Sequence, residues 1–164
     1  MGAFVRKNVF ELEQRLQKPV VLVDAYAPDS DYDAIVTDNL TGAYNAVAYL
    51  INKGHRCIGL IGSSPNGYPM YLRKAARISE YARRSWHKIT YLEDSTLHSA
   101  DAHDATQRLL KRALEITGIV ACNDDIAIAT IRAAYELGLQ IPDDIPVVGF
   151  DDLEHSAEII PPLT

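Results

Sequence analysis

The sequence lacks the features that mark a membrane or secreted protein. Of its 164 residues, one is tryptophan and two are cysteine, and no apolar run approaches the roughly 20 residues that a membrane-spanning helix requires. The stretch from Met1 to Val20 alternates charged and apolar residues and contains no apolar core of a signal peptide. The chain is therefore expected to be cytoplasmic and to make no membrane contact.

Positive charge is also scarce. The chain has 16 Lys and Arg residues against 22 Asp and Glu, a net charge of −6, and its Lys/Arg runs, such as Arg83–Arg84, are no longer than two residues. A chain that binds nucleic acid by itself concentrates positive charge on one face. This chain is therefore not expected to bind DNA alone.

The two cysteines, Cys57 and Cys122, each lie inside an apolar run. A free cysteine in that setting is usually a small core residue, and disulfides are rare in cytosolic proteins. We therefore expect two core thiols, with neither a disulfide nor a catalytic nucleophile.

What the sequence does contain is an alternation of short β-branched runs with helical patterns, in a composition that is 48% apolar and 23% charged. That alternation is typical of βαβ units, so the predicted fold is α/β, a doubly wound and mostly parallel sheet. The predicted strands are Val20–Asp24, Ile35–Thr37, Cys57–Gly62, Lys88–Leu92, Gly118–Cys122 and Ile145–Phe150. The predicted helices are Asn39–Lys53, Met70–Arg84, Ala100–Leu114 and Asp124–Leu137.

Glycine and proline support these bounds. Gly54 and Gly138 each follow a predicted helix, where a glycine can take the left-handed conformation that ends it. Pro146 has no N–H to donate, so we expect it at the start or the edge of its strand. The polar segment Asp29–Asp33 predicts a boundary between an initial helix and strand and the longer alternating block.

Polar residues follow several of the predicted strands. In an open α/β sheet, ligands bind beyond the carboxyl ends of the strands, so these residues are candidates for one site. Carboxylates and carboxamides can each meet two hydroxyls, which suits a polyhydroxylated small molecule. The candidates are Asp24, Asn123, Asp124, Asp125, Asp151 and Asp152, with Tyr71 and Arg73 just after the loop Ser63–Pro69.

A structural alternative applies to three of these carboxylates. Asp124 and Asp125 open a predicted helix, where the helix dipole favours negative charge, and Asp152 can simply cap a turn. Position in the sequence does not decide between the two interpretations.

No metal or cofactor site is predicted. His98, Asp101, His103 and Asp104 resemble a metal cluster, but the two histidines are five residues apart and face different sides of a helix. The loop of residues 62–67 lacks the Gly-Lys-Ser/Thr end of a phosphate-binding loop, and no G-x-S-x-G nucleophile motif occurs.

Three segments resemble one family. They are DNLTGAYNAVAYLINKGHRCIGLIG, ACNDDIAIATIRAAYELGLQIPDDIPVVGFDD and IIPPLT, and the likeness runs from about Pro19 to Thr164. In this order and spacing they resemble the LacI family of bacterial transcription regulators. The resemblance implies a type I periplasmic-binding-protein-like lobe, with a small-molecule effector between two lobes whose relative angle controls how paired headpieces hold operator DNA.

The resemblance also implies four effector contacts. Asp24 matches the acidic residue at the end of the PVVLVD strand, and Arg73 matches the arginine that opens the helix after the long loop. Asn123 matches the asparagine of the ND motif, and Asp151 the first aspartate of GFDD.

The resemblance further implies how the chain divides. Residues 1–34 would be a remnant of the amino-terminal lobe, 35–37 an inter-lobe crossing, 38–160 the carboxyl-terminal effector-binding lobe, and 161–164 the start of a second crossing. The headpiece, the first half of the amino-terminal lobe and a tail would lie outside this chain, so DNA contact would require the missing headpiece. Family members are usually homodimers.

The leading hypothesis is therefore the effector-binding core of a LacI-type repressor that responds to a sugar or a related metabolite, and not an enzyme. The alternative is the sugar-binding protein of a transport system, which shares the fold and would carry a secretion or lipoprotein signal upstream. A third hypothesis is an enzyme that uses Asp124/Asp125 and Asp151/Asp152 for Mg²⁺ and phosphoryl transfer, but the lysine and phosphate loop that should accompany them are not recognisable.

Overall fold

The structure, a computed structural model, describes residues 11, 13–15, 18–23, 32–62, 88–95 and 99–163. Two compact units make up the chain, Met1–Asp38 and Asn39–Thr164. The predicted helix Met70–Arg84 and the loop before it lie outside the described residues. Within the described ranges, no helix is long and apolar enough to cross a membrane.

The first unit contains a pair of parallel strands, β1 (Val21–Val23) and β2 (Asp33–Ile35). Strand β2 begins two residues before the predicted Ile35–Thr37. Pairing with β1 explains the shift, since Asp33 lies opposite Val21 in the ladder although aspartate is a poor strand former. The polar segment predicted as a boundary therefore runs into a strand.

The second unit is built on four parallel strands, ordered β4-β3-β5-β6. The bounds of its helices and strands agree with the predicted ones to within one or two residues at each end. The strands are β3 (Cys57–Ile61), β4 (Lys88–Glu93), β5 (Gly118–Ala121) and β6 (Val147–Val148); the helices are α1 (Asn39–Asn52), α2 (Ser99–Arg112), α3 (Asp124–Glu136) and a 3₁₀ turn (Glu154–Ala157).

Strand β6 is shorter than the predicted Ile145–Phe150. Pro146 stands directly before it and has no N–H for the ladder, although its carbonyl accepts the N–H of Ile119 at 2.9 Å. After Val148 the chain leaves the sheet, and the N–H of Phe150 is bound at 2.9 Å by the Asp124 carboxylate of helix α3. The prediction that Pro146 lies at a strand start is confirmed.

Helices cover both faces of this sheet. Leu50 of α1 packs at Gly118 of β5, and Leu109 of α2 packs at Gly59 of β3. Gly59 lies opposite Ile119, the residue after Gly118. Because successive residues of a strand face opposite sides of the sheet, Gly59 and Gly118 face opposite sides, and so α1 and α2 lie on opposite faces. The doubly wound architecture is confirmed. Helix α1 buries one side at helical spacing, through Ala43, Ala46, Val47 and Leu50.

The core of the second unit lies between the central strands and the helices. Cys122 is buried and Cys57 is partly buried against this core, so both cysteines pack as core residues. The largest fully buried side chains are Leu50, Ile58, Leu60, Ile61, Leu109, Ile119 and Ile126.

Two helices end as predicted at glycines in the left-handed region. Gly54 has φ 97° and Gly138 has φ 84°. After each, a backbone N–H returns to the helix, from His55 to Leu50 at 3.1 Å and from Leu139 to Ala134 at 3.0 Å. These bonds satisfy carbonyls that the end of a helix leaves without an intrahelical partner.

Candidate small-molecule site

The strand order predicts a ligand-binding crevice at one edge of the sheet. From β3 the chain runs outward to β4 and then crosses back to β5 on the other side of β3. The direction of winding therefore reverses between β3 and β5, and ligands of doubly wound sheets bind at such a reversal, beyond the carboxyl ends of the strands. Asn123 follows β5 at this point, and residues 149–153, which we call the acidic loop, follow the neighbouring strand β6.

Asn123 caps helix α3. It is 8% exposed, has extended backbone angles (φ −154°, ψ 175°), and its side-chain oxygen accepts the N–H of Ile126 at 2.8 Å. Such a cap contributes about 0.5–2 kcal/mol to stability. Because the cap uses the carboxamide oxygen, the donor with which Asn123 can serve a ligand is its Nδ2 amino group.

Asp151 is exposed and lies in the acidic loop in a strained conformation. Its φ is 106°, and the φ of the following Asp152 is 56°. Non-glycine residues in the left-handed region cost about 1–3 kcal/mol each and persist only where their surroundings impose them. Such strain is often found at functional sites, so the conformation of this loop requires a physical cause.

Asp124 supplies part of that cause. It is 3% exposed, and its Oδ1 accepts the N–H of Phe150 at 2.9 Å while its Oδ2 accepts the N–H of Leu153 at 2.7 Å. Of the two interpretations that the sequence left open for Asp124, the structural one therefore applies, since both of its oxygens are bound to the backbone of the acidic loop. Its position in the first turn of α3 also suits the positive end of the helix dipole.

Close packing keeps the loop beside Asp124. A Cβ atom on Gly149 would overlap Asp124 Oδ1 and would come within 2.6 Å of the Leu163 side chain. The N–H of Leu163 donates to the carbonyl of Ser156 at 3.0 Å, and the Ser156 hydroxyl donates to the carbonyl of Leu153 at 2.6 Å. The acidic loop, the 3₁₀ turn and the chain up to Leu163 thus form one continuous hydrogen-bonded structure.

Asp125 does not extend the site into a carboxylate pair with Asp124. Its side chain is 54% exposed and its Oδ1 lies 3.1 Å from Nε2 of His155 in the 3₁₀ turn. The paired carboxylates that the enzyme hypothesis required at Asp124 and Asp125 therefore have separate protein partners. Within the part of the chain that the structure describes, no group of three or more His, Cys, Asp and Glu side chains is placed to hold a metal ion.

His103, in the histidine-containing segment that was considered as a metal cluster, contacts other side chains of the protein. Nε2 of His103 lies 2.7 Å from Glu136 of α3, and its Nδ1 lies 3.3 Å from Asp104. Hydrogen bonds to Glu136 and then to Asp104 raise the pKa of His103 above its ordinary value of 6.5, and the bond to His103 lowers the pKa of Glu136 below 4.5. His98, the other histidine of the segment, lies outside the described residues.

This contact predicts a pH-dependent stability. A raised histidine pKa contributes stability that is complete below about pH 6.5 and is lost as pH rises through the folded pKa, while the lowered pKa of Glu136 contributes stability that is lost as pH falls below about 4.5. We expect the destabilisation caused by His103→Gln to be largest near about pH 5.5 and to shrink towards about pH 9, as measured by urea unfolding. The control is the same substitution in a Glu136→Gln background, where the pH dependence should fall; equal losses at both pH values would contradict the contact.

The four predicted contacts are placed only in part. Asn123 and Asp151 follow neighbouring parallel strands at the same edge of the sheet, whereas Asp24 and Arg73 lie outside the described residues. Sequence reasoning missed the cap made by Asn123, although an asparagine before two aspartates and an apolar helix is a recognised start signal. It also missed the contact of Asp124 with the loop, because the bonded amides lie 26 and 29 residues further along the chain.

Comparison with known proteins agrees with this architecture. The sequence profile of the periplasmic binding protein-like domain matches residues 47–164. The HTH-type transcriptional repressor CytR of Escherichia coli K12 is 29% identical over 154 residues, which cover 93% of this chain and 45% of that protein. The repressor PurR of Haemophilus influenzae Rd is 31% identical over 148 residues, covering 89% of this chain and 44% of PurR.

A solved structure shows the same likeness in three dimensions. A regulatory protein of the LacI family from Chloroflexus aggregans superposes with a TM-score of 0.82 at 26% identity, covering 94% of this chain and 56% of that one. This chain thus spans less than half the length of the two repressors. It belongs to the periplasmic binding protein-like domain family and corresponds to the effector domain of LacI-family regulators.

Proposed function

We propose that this chain is the effector-sensing part of a cytoplasmic LacI-type transcriptional repressor that responds to a sugar or a related small polar metabolite, and that it is not an enzyme. The observation that carries the proposal is the placement of Asn123 and Asp151 after neighbouring strands, beside the reversal of winding, in a chain of this family.

The chemistry of the two residues suits a hydroxylated ligand. Asp151 offers a carboxylate that can accept hydrogen bonds from two hydroxyls. Asn123 offers its Nδ2 group as a donor, which the capping hydrogen bond does not use. Asp24 and Arg73 remain the two further contacts that the family resemblance implies. A small number of polar contacts of this kind fixes a small ligand in its site.

Regulation follows from the relative affinity of the effector for two arrangements of the protein. A ligand shifts a conformational equilibrium only by the difference between its affinities for the two states. Coupling of this kind changes the affinity at a second site by about 5- to 150-fold. In this protein the second site would be the operator DNA.

DNA binding and dimerisation are assigned to the larger protein. A net charge of −6 supports placing the DNA contact in a separate headpiece rather than on this chain. Apolar side chains of the first unit, Val23 at 72% and Ile35 at 66% exposure, support the expectation that more protein packs on this strand pair. The proposed assembly is a homodimer.

A ligand screen on the complete gene product tests the proposal. Pentoses, hexoses, nucleosides and purine bases are added one at a time while thermal unfolding is followed, because a ligand at 100 times its Kd stabilises the folded state by about 2.7 kcal/mol. We expect at least one compound to raise Tm and to bind once per chain in calorimetry. Absence of any binder in the panel would contradict the proposed effector class.

A further inference from the structure

We propose that Asp124 is a positioning residue, whose buried carboxylate sets the backbone conformation of the acidic loop and thereby the direction of the Asp151 carboxylate. The inference rests on the proposed function only for its consequence, effector binding. The structural half of the inference, that Asp124 sets the conformation of the acidic loop, involves only residues that the structure describes.

The two hydrogen bonds of Asp124 enclose the strained part of the loop. Phe150, whose N–H is bound at 2.9 Å, immediately precedes Asp151, and Leu153, whose N–H is bound at 2.7 Å, immediately follows Asp152. Both enclosed aspartates have positive φ. Holding the amide on each side restricts the backbone angles between them, so the strained conformation is imposed from helix α3.

The position accepts no other side chain without loss. Both partners are donors, and a carboxylate is an acceptor at both oxygens, whereas the carboxamide of asparagine would direct an N–H₂ group at one of the two amides. Glutamate is longer by one methylene, and the space beside Gly149 is already filled by Asp124 Oδ1 and Leu163. Aspartate is therefore the residue that satisfies both amides at this distance.

Packing on the other side of the loop adds to the restraint from the two hydrogen bonds of Asp124. The Phe150 ring lies against Gly42 of helix α1, where a Cβ atom would overlap the ring. The loop is thus held by an aromatic side chain at α1 and by hydrogen bonds at α3. Binding groups that are held in this way need not be ordered by the ligand, and a fixed direction favours one arrangement of hydroxyls over others.

Hydrogen exchange on Asp124→Asn tests the structural half without any ligand. In the full chain, we expect the amides of Phe150 and Leu153 to exchange at least about tenfold faster than in the unmodified protein, and the Cα chemical shift of Asp151 to move away from a left-handed value. Asp144→Asn is the matched control, because Asp144 also accepts a backbone N–H, from Gln140 at 2.7 Å. That control should change exchange at Gln140 and leave the acidic loop as it is.

Effector affinity tests the functional half. For the best compound of the sugar and nucleobase panel, we expect Asp124→Asn to raise Kd at least about tenfold. Leu109→Ala, which lowers stability through a fully buried core position, should leave Kd nearly unchanged at a temperature where both variants are folded. Should Asp124→Asn fail to fold, Gly149→Ala replaces it, since its new methyl displaces the Asp124 carboxylate.

The outcomes separate the two claims. Unchanged exchange at Phe150 and Leu153, or a loosened loop with unchanged Kd, would overturn the role of Asp124. If no panel compound binds the unmodified protein, the proposed effector function fails, while the exchange experiment still decides whether Asp124 sets the loop.

Discussion

Replacing Gly62 by alanine is expected to destabilise the second unit by about 3 kcal/mol or more, the largest loss of stability that we predict for a single methyl group. Gly62 follows strand β3 with φ 105°, a conformation that side chains with a Cβ rarely adopt. Its new methyl would also lie 2.6 Å from Ile126 Cδ1 and 3.0 Å from Cys122 Cβ, both in buried residues. Backbone strain and overpacking therefore add at one position.

Gly54→Ala is the matched control for this substitution. Gly54 has a similar φ of 97°, but nothing lies within 4 Å of the position that its new methyl would take, so only the backbone strain of about 1–2 kcal/mol remains. Urea unfolding of the two variants should give a clearly larger loss for Gly62→Ala. Equal losses would show that Gly62 is not packed against Ile126 and Cys122 as described.

Replacing Asp151 by glycine is expected to separate ligand binding from stability. Hydrogen bonds to charged groups contribute about 1.5–3 kcal/mol, so loss of the carboxylate should weaken effector binding by about 10- to 100-fold. The backbone contribution to stability should change by no more than about 1 kcal/mol, because glycine relieves the cost of φ 106° while it adds freedom to the unfolded chain. Calorimetry and urea unfolding on the same preparation measure the two quantities.

Two further variants sharpen this test. Asp151→Asn keeps the size of the side chain and removes its charge, so it should lose affinity as well. Asp143→Asn changes an exposed aspartate in the turn after helix α3 and should change neither quantity. A glycine variant with unaltered affinity for every compound in the panel would remove Asp151 from the site.

The fold was predictable because its elements are locally consistent. Helix α1 repeats apolar residues at helical spacing and ends at Gly54, and strands β3 and β5 are continuous apolar runs that the structure buries. The local sequence pattern did not predict the bounds of two strands, because contacts with residues distant in the sequence set those bounds. Strand β2 takes its start from pairing with β1, and strand β6 ends early where Asp124 binds the loop.

The candidate site was predictable in position more than in geometry. Strand ends gave a wider set of candidates, and the family resemblance selected Asn123 and Asp151 from it. Three-dimensional contacts determine which side-chain oxygens already accept a hydrogen bond within the protein. The cap made by Asn123 has a local signal, but the burial of Asp124 against the amides of Phe150 and Leu153 has none, because those partners are distant in sequence.

Under the proposed function, a small molecule bound by this chain controls the binding of DNA by the larger protein. Fluorescence anisotropy of the complete gene product on an operator selected from random-sequence DNA, with and without the compound found in the panel, measures it directly. We expect an operator Kd that changes by about 5- to 150-fold with the compound and that no longer responds at the same compound concentration in Asp151→Gly. An operator affinity that the bound compound leaves unchanged would contradict the proposed function.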